Sequence, residues 1–101
     1  MFYIYIIYSV ASDRFYVGHS QDPWHRLEQH LSNRKDKYTG RNSDWELRAV
    51  FKVGATRGEA DKLEKYIKRQ KSRRLIELLV KKDFVPEGKL AQLVRVPHVR
   101  D

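Results

Sequence analysis

Apolar and polar positions at the start of the chain predict a β-hairpin. Residues 2–9 carry apolar or aromatic side chains on both alternations, which is typical of a central strand covered on both faces. Residues 11–14 are turn formers, and residues 15–19 return as an antiparallel partner. The apolar start has neither a basic region nor a small-residue cleavage site, so we interpret it as a strand rather than a signal peptide.

The polar residues after this hairpin lead into a predicted helix over residues 22–33. Asp22 is a favoured N-cap, and Pro23 suits the first helical position. Arg26 and His30 are four positions apart and therefore share one face of the helix. A separate apolar stripe that can pack on the strands consists of Trp24, Leu27 and Leu31.

A strand and a second helix follow in the middle of the chain. Residues 45–53 alternate in part, which predicts a third strand. The apolar positions expected on one side of it are Trp45, Leu47, Ala49 and Phe51. A capping box, Thr56 with Glu59, then opens a helix over residues 57–69.

A third helix, over residues 73–81, is predicted to begin after Ser72 as its N-cap. The pattern then weakens, and residues 83–101 form a tail that either docks on the domain or is disordered. The chain of 101 residues fits one domain, which we assign to residues 1–82. The elements predict an α+β fold in which a three-stranded antiparallel sheet is flanked by about three helices.

Charge and cysteine content narrow the function. The formal net charge is +8 and the pI is about 9.9, which favours an anionic partner, most commonly nucleic acid, although a basic surface can serve solubility alone. The chain has no cysteine, so it has no disulfide and no cysteine-rich zinc site, and we expect a cytoplasmic protein. No apolar run approaches the roughly 18 residues of a membrane span.

Two basic segments are candidates for contact with nucleic acid. In residues 34–44, four cations are interleaved with an aromatic ring, and the candidates there are Lys37, Tyr38 and Arg41. Residues 68–74 form a denser basic cluster between two predicted helices, and its candidates are Lys68, Lys71 and Arg73. Each segment could equally be a solvated surface.

Helix 57–69 contains a carboxylate that its apolar pattern does not explain. Glu64 lies about 40° from Ala60 around the helix, inside the arc of the apolar stripe. The stripe consists of Ala60, Leu63 and Ile67. A buried, unpaired carboxylate would cost several kcal/mol, by order of magnitude. Glu64 therefore pairs with a buried cation, binds a metal, or sits at the edge of a rotated helix.

These residues together resemble a known family. The chain has two aromatic triplets, an Arg and a His on the following helix, and a Glu on a later helix. They are Tyr3, Ile4 and Tyr5; Tyr16, Val17 and Gly18; Arg26 and His30; and Glu64. In order and spacing, residues 2–80 resemble the GIY-YIG nuclease domain, and most closely its small stand-alone UPF0213 group. Tyr3 stands where the family usually has glycine, and no Asn follows Asn42.

The resemblance implies a metal-dependent endonuclease that hydrolyses phosphodiester bonds of DNA, for example in branched or nicked structures. A non-catalytic nucleic-acid-binding module on the same scaffold is the alternative. The implied partner is nucleic acid, with DNA favoured over RNA, and no interaction with a membrane is expected. The implied cofactor is Mg²⁺ or Mn²⁺, with Glu64 as the one protein ligand.

The resemblance also implies roles for the other motif residues. Tyr5 and Tyr16 occupy the places of the two motif tyrosines, and one of them, Tyr5 in preference, would activate or orient the attacking water. Arg26 would hold the scissile phosphate. His30 would support the phosphate or the water network. Gly18 is the motif glycine. Lys37 and Tyr38 would line the substrate groove.

Overall fold

The computed structural model describes residues 1–32 and 44–97. The predictions for Lys37, Tyr38 and Arg41 fall outside these residues. The described chain forms, in order, β1 (Phe2–Ser9), β2 (Arg14–Ser20), α1 (Pro23–Ser32), β3 (Trp45–Gly54), α2 (Arg57–Arg69), α3 (Arg73–Val80), a short 3-10 helix (Gly88–Leu90) and β4 (Val94–Val96). The strands form one antiparallel sheet in the order β2-β1-β3-β4. The predicted α+β fold is confirmed, with one strand more than expected.

Both faces of the central strand β1 are covered, as its pattern predicted. One face packs Ile4 and Ile6 against α2 and α3, through side chains such as Ile67 and Leu79. On the opposite face lies a smaller cluster around Tyr5, Ile7, Trp45 and Val50, which packs against the predicted α1 stripe of Trp24, Leu27 and Leu31. Because β1 is buried on both faces, its side chains can be held in fixed positions.

The predicted one-sided pattern of β3 was wrong, because the strand contains a bulge. Ile6 pairs with Ala49, but the next residue, Ile7, pairs with Leu47, so Arg48 is passed over in the register. The alternate positions 45, 47, 49 and 51, which would share one side of a regular strand, therefore change sides at the bulge. Trp45 and Leu47 pack on the α1 side, whereas Ala49 and Phe51 pack on the α2 side.

The helices begin where their N-caps predict. A side-chain oxygen at each start accepts a backbone N–H three residues later. These bonds join His25 N to Asp22 at 3.1 Å, Glu59 N to Thr56 at 3.3 Å and Leu75 N to Ser72 at 3.1 Å. Among the described residues, no helix is both long and apolar enough to cross a membrane.

The end of the described chain packs on the sheet. Leu90 and Leu93 are buried in the larger core, and β4 pairs with β3, with Val96 opposite Val50. Arg95 donates to the carbonyl oxygen of Leu79 at 2.6 Å, which ties β4 to the end of α3. Residues 88–96 therefore share the core of the domain, and the domain boundary at residue 82 stays a prediction.

Candidate active site

A cleft of about 560 Å³ opens at the C-terminal half of β2, which is one of the two edge strands of the described sheet. Strands β1 and β2 and helices α1 and α2 all contribute to its walls. The predicted site residues that line it are Tyr5, Tyr16, Gly18, Arg26 and Glu64. The fold thus brings together side chains that are spread over some sixty positions of the sequence.

Gly18 allows the Tyr5 side chain to reach this cleft. The two residues are direct partners across β1 and β2. A Cβ atom placed on Gly18 would lie 2.5 Å from the Tyr5 hydroxyl oxygen and 2.6 Å from the ring carbon that carries it. The Tyr5 ring therefore lies directly against the backbone of β2, a position that only glycine leaves open.

The Tyr5 hydroxyl is buried and hydrogen-bonded to His30. Its oxygen lies 2.8 Å from Nε2 of His30, and each residue is only 1% exposed. The hydroxyl donates to this nitrogen whenever the nitrogen carries no proton. Burial raises the pKa of Tyr5 far above the ordinary value of 10.0; the neighbouring Tyr16 adds to the shift, and Arg26 opposes it.

The Tyr16 ring completes this aromatic group. Its centroid is 5.0 Å from that of His30 and 6.4 Å from that of Tyr5. His30 therefore lies behind the two phenol rings. Its predicted role in supporting the phosphate or the water network would be exerted through the Tyr5 hydroxyl.

Glu64 faces the cleft from α2, and both of its carboxylate oxygens have a partner. Oε1 accepts from Nδ1 of His19 at 2.7 Å, and Oε2 accepts from Nζ of Lys68 at 3.0 Å. The side chain is 15% exposed. Ala60, Leu63 and Ile67 are buried, as the stripe predicted. Glu64 thus lies in the cleft beside the apolar stripe, and its carboxylate is hydrogen-bonded to His19 and Lys68.

Arginine side chains supply positive charge on two sides of the cleft. Arg26 projects from α1 and donates to the side-chain oxygen of Gln29 at 2.9 Å. Arg57 projects from the first turn of α2, with Nη1 3.5 Å from Nε2 of His19. An anionic group entering the cleft would meet a guanidinium from each helix.

Two of these residues were not predicted. His19 pairs with Glu64 across β2 and α2, and Arg57 lines the cleft. A signal for His19 did exist, since it follows Val17 on the β2 face that packs against α2, where the unexplained carboxylate needed a partner. Nothing in the local sequence distinguishes Arg57 from an ordinary solvent-exposed arginine at the start of a helix.

The residues present fit a metal ion that is bound mainly by water and substrate oxygens. Within residues 1–32 and 44–97 there is no cluster of three or more His, Cys, Asp or Glu side chains arranged to hold a metal. Mg²⁺ commonly keeps several waters and takes one or two carboxylates together with substrate phosphates. Glu64, a carboxylate on the wall of an open cleft, can serve as such a ligand.

The basic cluster at the α2–α3 junction lies just outside the cleft. Lys68, Lys71 and Arg73 line a neighbouring groove along the N-terminal half of β2. Lys68 also connects the two regions, because its ammonium group binds Glu64 and lies 5.1 Å from the centroid of the Tyr16 ring.

Comparison with known proteins agrees with this arrangement. The family model of the GIY-YIG catalytic domain matches residues 1–77, which include every residue of the cleft described above. Searches of curated proteins and of solved structures gave no significant match. Assignment to the UPF0213 group stays a prediction. The match covers more than half of the chain, and the chain therefore belongs to the GIY-YIG family.

Proposed function

We propose that this protein is a metal-dependent endonuclease that hydrolyses phosphodiester bonds of DNA. One observation carries the proposal: Tyr5, Arg26 and Glu64 all line the same cleft. Phosphoryl transfer depends mainly on positioning and on charge neutralisation, and these groups can provide both. Membership of a nuclease-type family supports the same chemistry.

Arg26 is the proposed anchor of the scissile phosphate. A guanidinium can bind two phosphate oxygens at once, and its charge neutralises the extra negative charge that develops in the transition state. The bond from Arg26 to Gln29 holds the side chain toward the cleft before substrate arrives. Arg57, on the opposite wall, is placed to contact a neighbouring phosphate.

Tyr5 is the proposed group that orients the attacking water and relays its proton. Because burial raises the pKa of Tyr5, its resting form is the neutral phenol. A neutral phenol can accept a proton from water only if it passes its own proton on. His30 Nε2, 2.8 Å away, is the acceptor that the structure offers.

Glu64 is the proposed ligand of Mg²⁺ or Mn²⁺. The ion would lower the pKa of bound water and stabilise charge on the leaving oxygen. Lys68 and His19 hold the carboxylate at the cleft wall, so its position is fixed before an ion arrives. The same contacts mean that the ion has to compete with two existing partners.

That competition favours a second candidate function, a nucleic-acid-binding module without catalysis. Lys68 already pairs with the Glu64 carboxylate, with 3.0 Å between the charged atoms. If a metal cannot displace it, the protein keeps its basic surface and its affinity for nucleic acid but does not cleave. Binding would weaken steeply with salt in either case, so only a cleavage assay separates the two functions.

The test is a cleavage assay of wild type and Glu64→Ala. Labelled single-stranded, duplex, nicked, flap and four-way-junction DNA, and matching RNA, are incubated with Mg²⁺, Mn²⁺ or EDTA. Glu46→Ala is the matched control, because it removes an exposed carboxylate of β3 and changes the net charge equally. We expect metal-dependent cleavage by wild type and the control, and none by Glu64→Ala, which still binds DNA.

Cleavage by Glu64→Ala at the wild-type rate would contradict the assigned metal site. Salt-dependent binding without cleavage of any substrate would support the binding-module function instead. Comparison of the DNA and RNA lanes identifies the substrate class, and comparison among the DNA lanes shows whether branched or nicked structures are preferred.

A further inference from the structure

The groove along the N-terminal half of β2 has the properties of a second binding site. Its volume is about 560 Å³, within the range of roughly 300–1,000 Å³ that is typical of small-molecule pockets. Apolar side chains from β2, α2 and α3 form much of its lining. They are Phe15, Tyr16, Val17, Ile67 and Ile76.

Positive charge surrounds this apolar lining. Arg14, Lys71 and Arg73 line the groove together with Lys68. The acidic member of the lining, Asp13, is already paired, since Arg73 donates to its carboxylate at 2.6 Å and to its carbonyl oxygen at 2.9 Å. Two of the cations also lie over the aromatic rings, Lys68 at 5.1 Å from the Tyr16 centroid and Arg73 at 5.2 Å from the Phe15 centroid. The groove therefore offers apolar surface with cations over and beside it, and since bases stack on aromatic rings and on guanidinium planes alike, it is complementary to a flat apolar group attached to an anion.

The groove is continuous with the candidate active site. Tyr16 lines both the groove and the cleft, and Lys68 joins them through its bond to Glu64. The seven residues of β2 extend over roughly 20 Å at about 3.3 Å per residue. A polynucleotide with one phosphate at Arg26 could therefore continue along this strand and past Lys68 into the groove.

We propose that this groove binds an unpaired nucleotide of the substrate strand, with its base on the aromatic lining and its phosphate at the cationic rim. The inference rests on the proposed function of the cleft as a nucleic-acid site. Bases inside a duplex stack on one another and present no free face, whereas unpaired bases stack on aromatic side chains. The groove therefore selects substrates that carry unpaired nucleotides beside the cleaved bond, such as flaps, gaps and single strands.

A binding experiment in EDTA tests this inference without requiring cleavage. Two labelled oligonucleotides of equal length and charge are compared by fluorescence anisotropy at fixed salt, one of thymidines and one of abasic nucleotides. We expect wild type to bind the thymidine strand at least about fivefold more tightly, since each stacked base contributes measurably to affinity. Equal affinity for the two strands would overturn the inference.

Variants of the groove locate the preference. Phe15→Leu keeps an apolar side chain against the core but removes the ring, so the ratio of the two affinities should fall toward one. Lys71→Gln should weaken binding of both strands equally, because it removes only a phosphate contact. Lys62→Gln removes an exposed charge on α2 outside the groove. It is the matched control for Lys71→Gln and should leave the affinities for both strands unchanged.

Thermal unfolding of each variant separates lost binding from lost folding. If Phe15→Leu is folded and keeps the wild-type ratio, the groove is not the base site and the inference fails. If it does not fold, Arg73→Gln decides the matter, because this guanidinium lies 5.2 Å over the Phe15 ring and borders the same groove. A fall in the ratio of its two affinities supports the inference, and an unchanged ratio overturns it.

The two proposals can fail separately. A base preference in EDTA, with no cleavage of any substrate in Mg²⁺ or Mn²⁺, would support the groove and reject the nuclease. Metal-dependent cleavage without a base preference would support the nuclease and reject the groove.

Discussion

The cleft at the C-terminal half of β2 and the groove at its N-terminal half have the same volume, but they differ in how far their contacts are buried. Behind the C-terminal half, Tyr5 is hydrogen-bonded to His30, and each residue is only 1% exposed. In the groove at the N-terminal half, Arg73 forms an ion pair with Asp13, and these side chains are 49% and 66% exposed. A buried, hydrogen-bonded pair fixes atoms in place, whereas an exposed ion pair leaves them adjustable.

This difference matches the tasks that we propose for the two regions. A chemical step requires reacting groups within a few tenths of an ångström of their best positions, so preorganised contacts at the cleft affect the rate. Stacking of a base tolerates small displacements, so the groove affects affinity. Substitutions in the cleft should therefore change the rate strongly, and substitutions in the groove should change affinity moderately.

The largest effect is expected for Arg26→Ala. It removes the proposed phosphate contact from the cleft, so the rate of cleavage under single-turnover conditions should fall about 100-fold or more. Affinity for DNA should fall much less, because the cations of the groove remain. Arg48→Ala, at the β3 bulge, is the control and removes an exposed arginine. A loss of affinity with an unchanged cleavage rate at saturating enzyme would show that Arg26 contributes to binding alone and not to the chemical step.

Gly18→Ala should damage the same cleft through packing. The added methyl group would lie 2.5 Å from the Tyr5 hydroxyl oxygen, so the ring or the strand must shift. We expect a loss of roughly 1–3 kcal/mol in the free energy of unfolding, as for other overpacked sites, and slower cleavage by the folded protein. Both are measurable, by denaturant unfolding and by single-turnover cleavage.

Gly58→Ala is the matched control for this substitution. Among the residues that the structure describes, none would lie within 4 Å of a Cβ atom at Gly58, which is inside helix α2. Alanine there should stabilise the protein by roughly 0.5–1 kcal/mol, because it favours the helix. A fully active Gly18→Ala would contradict the need for close contact between Tyr5 and β2.

The parts of the fold that the sequence predicted are those set by local rules. A run of apolar and aromatic residues predicted β1, and N-caps predicted the starts of the α-helices, because each signal lies within a few residues of the element it specifies. The Arg48 bulge and the pairing of β4 with β3 were missed. Both depend on contacts between distant strands, which no short window of sequence contains.

The site shows the same limit. The motif residues could be named in advance, and the comparison establishes the family, but their roles stay predictions. The contacts that hold them join distant positions: Tyr5 and His30 are 25 residues apart, and His19 and Glu64 are 45 apart. The carboxylate in an apolar stripe indicated that a partner existed, but only the fold shows that the partners are His19 and Lys68.

A smaller effect, on stability at alkaline pH, would sharpen the contrast between a buried and an exposed tyrosine. Burial raises the pKa of Tyr5 above 10.0, so above pH 10 the unfolded chain loses this proton while the folded chain keeps it. The free energy of unfolding should therefore be unaffected by this group below pH 10 and fall as the pH rises further, by at most about 1.4 kcal/mol per pH unit.

Denaturant unfolding curves recorded between pH 8 and pH 11, at steps of about half a pH unit, test this expectation. Tyr5→Phe should show a smaller decline than wild type. Tyr8→Phe is the comparison: the pKa of Tyr8 is also raised, chiefly by its hydrogen bond to Asp13, so the direction of the effect is the same. Because this hydroxyl is at the surface, where water and salt screen its contacts, we expect Tyr8→Phe to change the decline less than Tyr5→Phe does. Equal slopes for wild type and Tyr5→Phe would mean that the Tyr5 hydroxyl reaches solvent in the folded state.

The smallest effect on stability is expected for Arg73→Gln, at the other end of β2. Its ion pair with Asp13 is exposed, and exposed pairs contribute little because water and salt screen them. The melting temperature should fall less than in Gly18→Ala, and the difference from wild type should shrink as salt is raised. Asp13 has a φ of 53°, so Asp13→Asn, which tolerates this conformation, removes the same ion pair without new strain. A large, salt-independent loss in both variants would mean that the groove is as rigidly built as the cleft, and the contrast between the two halves of β2 would no longer hold.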